Sequence, residues 1–178
     1  MRWPLLALLL LLATRAEAGP PVRSVPEVDL GRYAGKWYEI ARYPRFFQRS
    51  CIGDVTAEYA PLPDDCLAVV NRCRTEDGVD EAKAKACTVR DTGNAQLEVS
   101  FFWPFRSDYW VIGLDPNYRW AVVGNPKRSV LWILSRTPQL PKEQLDQALR
   151  SAAEQGYDLG LLKYTPQGTA GEAGPGPK

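Results

Sequence analysis

Histidine is absent from this 178-residue sequence, which removes the commonest general base and the commonest metal ligand. A charge excess is also missing, since 22 lysines and arginines face 21 aspartates and glutamates without a basic run. The acidic residues show no HExxH, Walker, GxSxG or EF-hand spacing. We therefore expect no catalytic residues, no metal site, no cofactor, no nucleic-acid partner and no enzymatic activity.

Long apolar runs are missing except at the amino end, where one spans Leu5 to Ala13. A membrane-spanning helix needs about 20 apolar residues, and Ala16-Glu17-Ala18 has the small-x-small pattern of a signal peptidase site. We expect residues 1–18 to be a signal peptide, residues 19–26 an extension, and the exported chain to be soluble. No cysteine precedes Cys51, so we expect no acylated lipoprotein anchor.

The sequence has only four cysteines, Cys51, Cys66, Cys73 and Cys87, which in an exported chain predict two disulfides. The segments 51–59, 66–73 and 82–90 have strand composition and are separated by turn-rich sequence. Antiparallel hairpins with turns centred at about residues 62 and 76.5 place Cys51 opposite Cys73 and Cys66 opposite Cys87. The spacing of Cys66 and Cys73 directs them to opposite faces.

Five further segments have strand composition: 37–42, 97–103, 109–114, 119–124 and 130–136. The sequence thus predicts an all-β fold in which eight strands follow one another with hairpin connections. An eight-stranded antiparallel up-and-down barrel removes both sheet edges and has room for one small ligand.

One helix is predicted after the strands. It begins at Pro141, carries an apolar stripe of Leu145, Ala148, Leu149 and Ala152, and ends at Gly156. A single apolar stripe predicts packing on the outside of the barrel, where Trp110, Ile112 and Leu114 alternate outward. The Gly/Pro/Ala-rich residues 168–178 predict a disordered tail.

Three blocks resemble the signatures of the lipocalin family: Gly35-Lys36-Trp37, Asp115-Pro116-Asn117-Tyr118, and Arg136. WYEIAR, SFFWPF and LWILSRTP are similar to the branch that contains the bacterial outer-membrane lipocalins and apolipoprotein D. The resemblance implies a lipocalin domain over residues 27–167. It also implies that Gly35, Trp37, Asp115, Tyr118 and Arg136 are structural, with Trp37 sealing the closed barrel end and Arg136 lying across its ring.

Strand alternation, with Trp37 taken as inward, and the resemblance together predict the pocket lining. A run of alanines, Ala82, Ala84 and Ala86, leaves volume unfilled on the fourth strand. The predicted ligand-binding residues are Glu39, Ala41, Val55, Ala57, Tyr59, Val69, Asn71, Ala84, Ala86, Leu97, Val99, Phe101, Trp103, Tyr109, Val111, Trp132 and Leu134. For each one, core packing remains an alternative to ligand contact. For Glu39, the alternatives are an ion pair with a neighbouring arginine and a hydrogen bond to an ordered water.

The resemblance implies that the barrel binds, stores or transports a hydrophobic ligand, a fatty acid or lysophospholipid, for membrane lipid maintenance. The location it favours is the periplasm or extracellular space. The loop from Arg45 to Arg49 either makes peripheral contact with the outer membrane or packs within the protein. Two alternatives remain: an interaction protein with a side-chain-filled barrel, and a thiol-dependent enzyme using Cys51 or Cys73. The oligomeric state stays open, a homodimer being one alternative.

Overall fold

The computed structural model describes residues 19–102 and 104–168. The predicted signal peptide, Trp103 and residues 169–178 of the predicted tail lie outside the described residues. The elements are α1 Leu30–Tyr33, β1 Gly35–Arg42, β2 Gly53–Leu62, β3 Cys66–Thr75, β4 Gly78–Thr88, β5 Gln96–Ser100, β6 Ser107–Leu114, β7 Trp120–Gly124, β8 Leu131–Ser135, α2 Lys142–Glu154 and β9 Lys163–Tyr164, with 3-10 turns at Phe46–Gln48 and Leu159–Leu161. No helix in the described ranges is both long and apolar enough to cross a membrane.

The strands form one antiparallel barrel. Their order is β2, β3, β4, β5, β6, β7, β8, β1 and β9, and an additional β1–β2 pairing closes the sheet on itself. The closing pairs run from Gly35 opposite Tyr59 to Tyr38 opposite Thr56. The predicted fold class, an eight-stranded up-and-down barrel with one external helix, is therefore confirmed.

Both predicted disulfides are present. Cys66 lies directly opposite Cys87, as the sequence predicts. Cys51 bonds to Cys73, but the register predicted for that hairpin is wrong, because β2 and β3 pair from Gly53–Arg74 to Leu62–Cys66. All four cysteines are used, and this oxidised set is typical of an exported protein.

The wrong register has a local cause at the turn between β2 and β3. Asp64 and Asp65 both adopt positive φ angles, 61° and 52°, and so form the turn themselves. Aspartate tolerates this left-handed region better than most side chains. The centre of the turn therefore lies closer to the C-terminus than predicted. Cys51 lies in the loop before β2 and forms its disulfide with Cys73 from there.

Two β-bulges change which residues face inward. The β1–β8 register shifts between Glu39 and Ala41, and the β6–β7 register shifts between Val111 and Gly113. A bulge inserts one unpaired residue and reverses the alternation beyond it. The prediction that Ala41 faces the pocket is therefore wrong, because Ala41 packs in the hydrophobic cluster beneath α2.

Helix α2 packs on the outside of the barrel over β6 and β7. Its Ala148 and Ala152 are fully buried, in a cluster that includes Ile112 and Trp110. The prediction that Leu114 points outward is wrong, because the second bulge turns it toward the barrel interior. Gly113 takes the outward position instead, and a β-carbon there would lie 2.3 Å from Ser151 Oγ of the helix. The helix therefore approaches the sheet closely where glycine leaves space.

The C-terminal segment enters the barrel wall between β1 and β2, beyond the last pair of those strands. Strand β9 pairs with the end of β1. Beyond it, the Gln167 side-chain amide donates to the carbonyl oxygens of Glu39 and Val55, both at 2.8 Å. Gly168 N–H donates to the Asp54 carboxylate at 2.6 Å. The segment thus bridges two strands that do not pair with each other at this end.

The residues before α1 pack along the barrel. Val22 is buried in the cluster under α2, and Val28 is buried in the interior cluster. Val25 N–H donates to the Val111 carbonyl at 2.8 Å, and Val28 N–H donates to the Gly93 carbonyl at 2.8 Å. The predicted extension, residues 19–26, is therefore in contact with the sheet and the helix.

Candidate ligand-binding site

One end of the barrel is sealed by Trp37, which is fully buried. Arg136 lies over the indole with its Cζ 3.9 Å from the ring centroid, a cation–π arrangement. The guanidinium also donates to the carbonyl oxygens of Lys36, Tyr33, Arg32 and Tyr118. Because these carbonyls lie on separate segments, one arginine ties the chain together beneath the barrel.

Gly35 gives the chain an unusual backbone conformation beside Arg136. Its φ is +92°, a left-handed conformation that strongly favours glycine. A β-carbon at this position would lie 3.4 Å from Arg136 Nη1. That distance is an ordinary van der Waals contact, so glycine is needed here for the backbone conformation.

Asp115 organises the turn after β6. Its carboxylate accepts hydrogen bonds from the Arg119 side chain and from the backbone N–H groups of Asn117 and Arg119. The hydrogen bond from the Arg119 side chain is the main reason that the pKa of Asp115 lies below its usual value. The next signature residue, Tyr118, has a φ of 59° and carries Arg32 over its ring.

We expect Asp115→Asn to lower the free energy of unfolding by about 1–2 kcal/mol at pH 7, because the amide keeps only one acceptor oxygen. The depressed pKa means that the ionised carboxylate stabilises the fold above the unfolded value of about 3.9. This stabilisation is lost as pH falls through the folded pKa. Urea denaturation at a series of pH values measures the difference in free energy of unfolding between the wild type and Asp115→Asn. We expect this difference to shrink in acid. A difference that does not change with pH would contradict the stabilising role of the Asp115 carboxylate.

Three tyrosines fill the barrel above Trp37. Tyr109 Oη lies 2.7 Å from Tyr33 Oη and 2.8 Å from Tyr59 Oη. Burial raises the pKa of Tyr33 and of Tyr109 well above the ordinary value, and raises that of Tyr59 to about 12. All three are therefore neutral hydroxyls at physiological pH. We call Tyr33, Tyr59 and Tyr109 the tyrosine cluster.

The other end of the barrel is open. Along β4, Ala82 is exposed, Ala84 is half-buried and Ala86 is buried, although all three point inward. Ala84 lies opposite Val69, which in turn lies opposite Tyr59 of the tyrosine cluster. We call the open half of the barrel the cup. The decreasing exposure of the three alanines indicates that the cup ends at the level of the tyrosine cluster.

A cavity of about 240 Å³ occupies this open end. It combines two phenylalanines with acidic, basic and amide side chains, and the Cys51–Cys73 disulfide forms part of its wall. Its lining residues are Phe47, Gln48, Ser50, Cys51, Val55, Asn71, Arg72, Cys73, Asp80, Glu81, Ala82 and Phe101. The arrangement offers an apolar interior with polar groups of both charges at the entrance, which is typical of sites for amphiphilic ligands.

A larger cavity of about 390 Å³ lies elsewhere, lined by Tyr43, Pro44, Ser129, Gly160, Leu161 and Lys163. Its walls are connecting segments and the C-terminal chain. None of these residues lies at an inward position of β2, β3 or β4, whereas Val55, Asn71 and Ala82 of the smaller cavity do. We therefore assign the binding site to the smaller cavity, which is continuous with the inward face of the strands.

Glu39 lies buried between the cavity and the C-terminal segment. Its Oε1 accepts from Arg42 Nη1 at 2.6 Å and from the Thr165 hydroxyl, and its Oε2 accepts from Gln48 Nε2 at 3.1 Å. The ion-pair alternative considered for Glu39 is therefore the one the structure contains. This network joins β1, the loop after it and the C-terminal segment.

Five phenylalanines surround the open end and are exposed to solvent. They lie in the loop after β1 and in the segment between β5 and β6, and they are 46–73% exposed. We call them the mouth aromatics: Phe46, Phe47, Phe101, Phe102 and Phe105. Such a concentration of exposed apolar rings is unusual on a soluble monomer and typically marks an interaction surface.

The predicted ligand-binding residues separate into groups. Eleven belong to the interior cluster: Ala57, Tyr59, Val69, Ala84, Ala86, Leu97, Val99, Tyr109, Val111, Trp132 and Leu134. Val55, Asn71 and Phe101 line the mouth cavity. Glu39 is in the buried ion pair, Ala41 is beneath α2, and Trp103 lies outside the described residues.

Other residues of the site were not predicted. Tyr33 completes the tyrosine cluster from α1, and Arg42 turns inward because of the bulge in β1. Gln48 and Thr165 reach Glu39 from distant segments. Strand alternation gives no signal for any of them, because their positions depend on a bulge or on chain segments outside the strands.

Comparisons with known proteins agree with this geometry. A family model described as a lipocalin-like domain matches residues 28–167. The chain is 40% identical to outer membrane lipoprotein Blc of Vibrio cholerae, over 82% of this chain and 86% of that protein. It is 31% identical to apolipoprotein D of Macaca fascicularis, over 83% and 80%. The structure of insecticyanin from Manduca sexta shares the fold, with a TM-score of 0.69 at 21% identity over 85% and 87% of the two chains.

Proposed function

The chain belongs to the lipocalin family, whose fold supports hydrophobic ligand binding or transport, and we propose that its ligand is a fatty acid or lysophospholipid. The observation that carries this proposal is the open half of the barrel, where the inward alanines of β4 pass from exposed to buried. Small side chains on one wall leave room for a chain of methylene groups. Each buried methylene contributes about 0.8 kcal/mol to binding.

The size of the cavity favours a single acyl chain. Its volume of about 240 Å³ is below the roughly 300–1,000 Å³ typical of ligand pockets. A long chain therefore extends past the cavity and contacts the mouth aromatics. Asn71, Arg72, Asp80 and Glu81 at the entrance offer hydrogen bonds and both signs of charge, which suits a zwitterionic headgroup.

Filling the cup with a side chain tests the proposal. Ala84→Trp places an indole inside the cup, whereas Lys85→Trp, one residue along β4, places the same ring on the outer face. We expect the first variant to weaken binding of a fluorescent fatty acid at least tenfold, equivalent to about 1.4 kcal/mol, and the second to bind like the wild type.

Near-ultraviolet circular dichroism would verify that both variants remain folded. If Ala84→Trp proves overpacked, Ala82→Trp at the exposed end of the same wall replaces it. Wild-type affinity in a folded inward variant would place the ligand outside the cup and refute the proposal.

We further propose that the mouth aromatics contact a membrane surface while the ligand enters or leaves. Phe46 and Phe47 pack edge to face next to Arg45, whose guanidinium lies 5.5 Å from the Phe47 ring. Exposed rings flanked by arginines are suited to the headgroup region of an anionic bilayer. The two disulfides support a location in the periplasm or extracellular space, and maintenance of membrane lipids is the role that we propose there.

Membrane contact can be measured by co-sedimentation with anionic vesicles. We expect the double variant Phe46→Ser/Phe47→Ser to lose most of the bound fraction. Leu62→Ser is the matched control, because Leu62 is also exposed but lies at the last pair of β2 and β3, near the sealed end. Equal loss in both proteins, or none in either, would contradict the contact.

Two alternative functions were open from the sequence, a thiol-dependent enzyme and an interaction protein with a side-chain-filled barrel. The thiol-dependent alternative loses support, because Cys51 and Cys73 are joined in a disulfide and the described residues include no free thiol. A barrel filled by its own side chains describes the lower half alone, where Trp37 and the tyrosine cluster pack. The open upper half favours a carrier, and a homodimer stays a prediction.

A further inference from the structure

The tyrosine cluster contains one more hydrogen-bond donor than it can use. Each phenol carries one proton, so three hydroxyls hold three protons, while the cluster has two oxygen–oxygen contacts, at 2.7 and 2.8 Å. Within the described ranges these hydroxyls bond only to one another. Whichever way the two bonds are directed, one O–H group has no acceptor.

Such a donor is costly where the cluster lies. Tyr33 and Tyr59 are buried, and the side chains packed around the cluster include Val69, Ala86 and Leu97, which offer no acceptor. A buried donor without a partner destabilises a protein by about 1–3 kcal/mol. The cluster therefore calls for an oxygen atom that the described chain does not supply.

The open half of the barrel can deliver that oxygen. Tyr109, which joins the other two hydroxyls, is the one member of the cluster that is partly exposed. The cup above it ends at the level of Ala84 and Tyr59. A ligand that fills the cup thus reaches the cluster with its inner end.

The charges around the cluster favour an electron-rich atom. Arg136 lies beneath the same floor and contacts the Tyr33 carbonyl, and its positive charge acts on the Tyr33 hydroxyl. Glu39, the buried carboxylate of the site, is already paired with Arg42. The neutral hydroxyls of the tyrosine cluster and the positive charge of Arg136 beneath them stabilise an oxygen atom that carries a partial negative charge.

We propose that the tyrosine cluster is a hydrogen-bonding subsite that takes an oxygen atom at the inner end of the bound lipid. This inference rests on the proposed function. It adds that the site selects an acyl chain oxygenated at its buried end over a plain hydrocarbon terminus. A plain terminus leaves the third proton without an acceptor, whereas a hydroxyl or carbonyl oxygen accepts it.

Two lysophosphatidylcholines of equal chain length test the subsite, one with a plain acyl chain and one with a terminal hydroxyl. The bulky headgroup keeps both ligands in the same orientation, so only the inner end differs. We expect the wild type to bind the hydroxylated ligand about threefold to tenfold more tightly, which corresponds to one hydrogen bond. The triple variant Tyr33→Phe/Tyr59→Phe/Tyr109→Phe carries none of the three protons and should remove this preference. Tyr38→Phe, whose residue neighbours Trp37 on the outer face of β1, should retain it.

Each outcome is decisive. Equal affinity of the two ligands for the wild type, or a preference that persists in the folded triple variant, would overturn the subsite and leave the lipid-carrier proposal standing. Binding of neither ligand to folded wild-type protein would overturn the carrier proposal and the subsite with it. If the triple variant does not fold, Tyr59→Phe/Tyr109→Phe provides a second variant with the same expected loss, because the one remaining hydroxyl belongs to Tyr33, the most buried of the three tyrosines.

Discussion

Replacing Trp37 with alanine is expected to lower the free energy of unfolding by about 3–5 kcal/mol, the range observed for buried tryptophans and phenylalanines. Trp37 is fully buried, donates from Nε1 to the Tyr33 carbonyl at 2.8 Å and supports the Arg136 guanidinium. The substitution removes all three contributions and leaves a cavity at the sealed end. Urea denaturation followed by circular dichroism measures the loss.

Trp110→Ala is the matched control for this prediction. Trp110 is also a strand tryptophan, but it is only half-buried and packs at the edge of the cluster beneath α2. We expect its loss to be smaller, because less apolar surface returns to water. Equal losses in the two variants would show that Trp37 has no special role in closing the barrel.

Replacing Glu39 with alanine is expected to have a comparable effect, about 3–5 kcal/mol, because it leaves the largely buried guanidinium of Arg42 without a counter-charge. Gln48 and Thr165 lose a partner in the same step. The double variant Glu39→Ala/Arg42→Ala should cost less than the sum of the single variants, since it leaves no unpaired charge. A double-mutant cycle in urea measures this coupling.

An exposed ion pair of the same length provides the comparison. Glu98 and Arg106 also approach to 2.6 Å, but both side chains are largely exposed. We expect Glu98→Ala to cost less than about 1 kcal/mol, because water screens the pair and competes for it. A similar cost at both pairs would contradict the view that burial makes the Glu39 network important.

The strand register predicted from the expected centre of each turn was correct for one of the two disulfide-bonded hairpins. The Cys66–Cys87 pair follows from strand alternation and a short Thr-Glu-Asp-Gly turn, and the structure has the same register. The neighbouring hairpin failed because two aspartates adopted the left-handed conformation. Composition alone marked that segment as a turn without fixing its centre.

Bulges limited the prediction of the site. A single extra residue at Ile40 moved Ala41 out of the barrel and turned Arg42 inward, and another at Ile112 exchanged the roles of Gly113 and Leu114. Alternation has period two, so one insertion reverses every later assignment on that strand. Nothing in the local pattern of apolar residues marks either bulge.

Contacts between distant segments were the second limit. Tyr33 precedes β1 and Thr165 follows β9, yet one completes the tyrosine cluster and the other bonds to Glu39. The strand pattern predicted the barrel, and the family resemblance supplied the sealed end and the stacked Arg136. It carried no residue-level information on how the N-terminal and C-terminal segments meet the barrel wall.

The most direct test of the carrier proposal is native mass spectrometry of the purified protein with both disulfides intact, followed by organic extraction and lipid analysis. We predict one acyl lipid per chain, displaced by added lysophosphatidylcholine and absent from folded Ala84→Trp. A clean ligand-free mass that stays unchanged after addition of fatty acid or lysophosphatidylcholine would contradict the proposal and indicate a barrel that functions without a lipid.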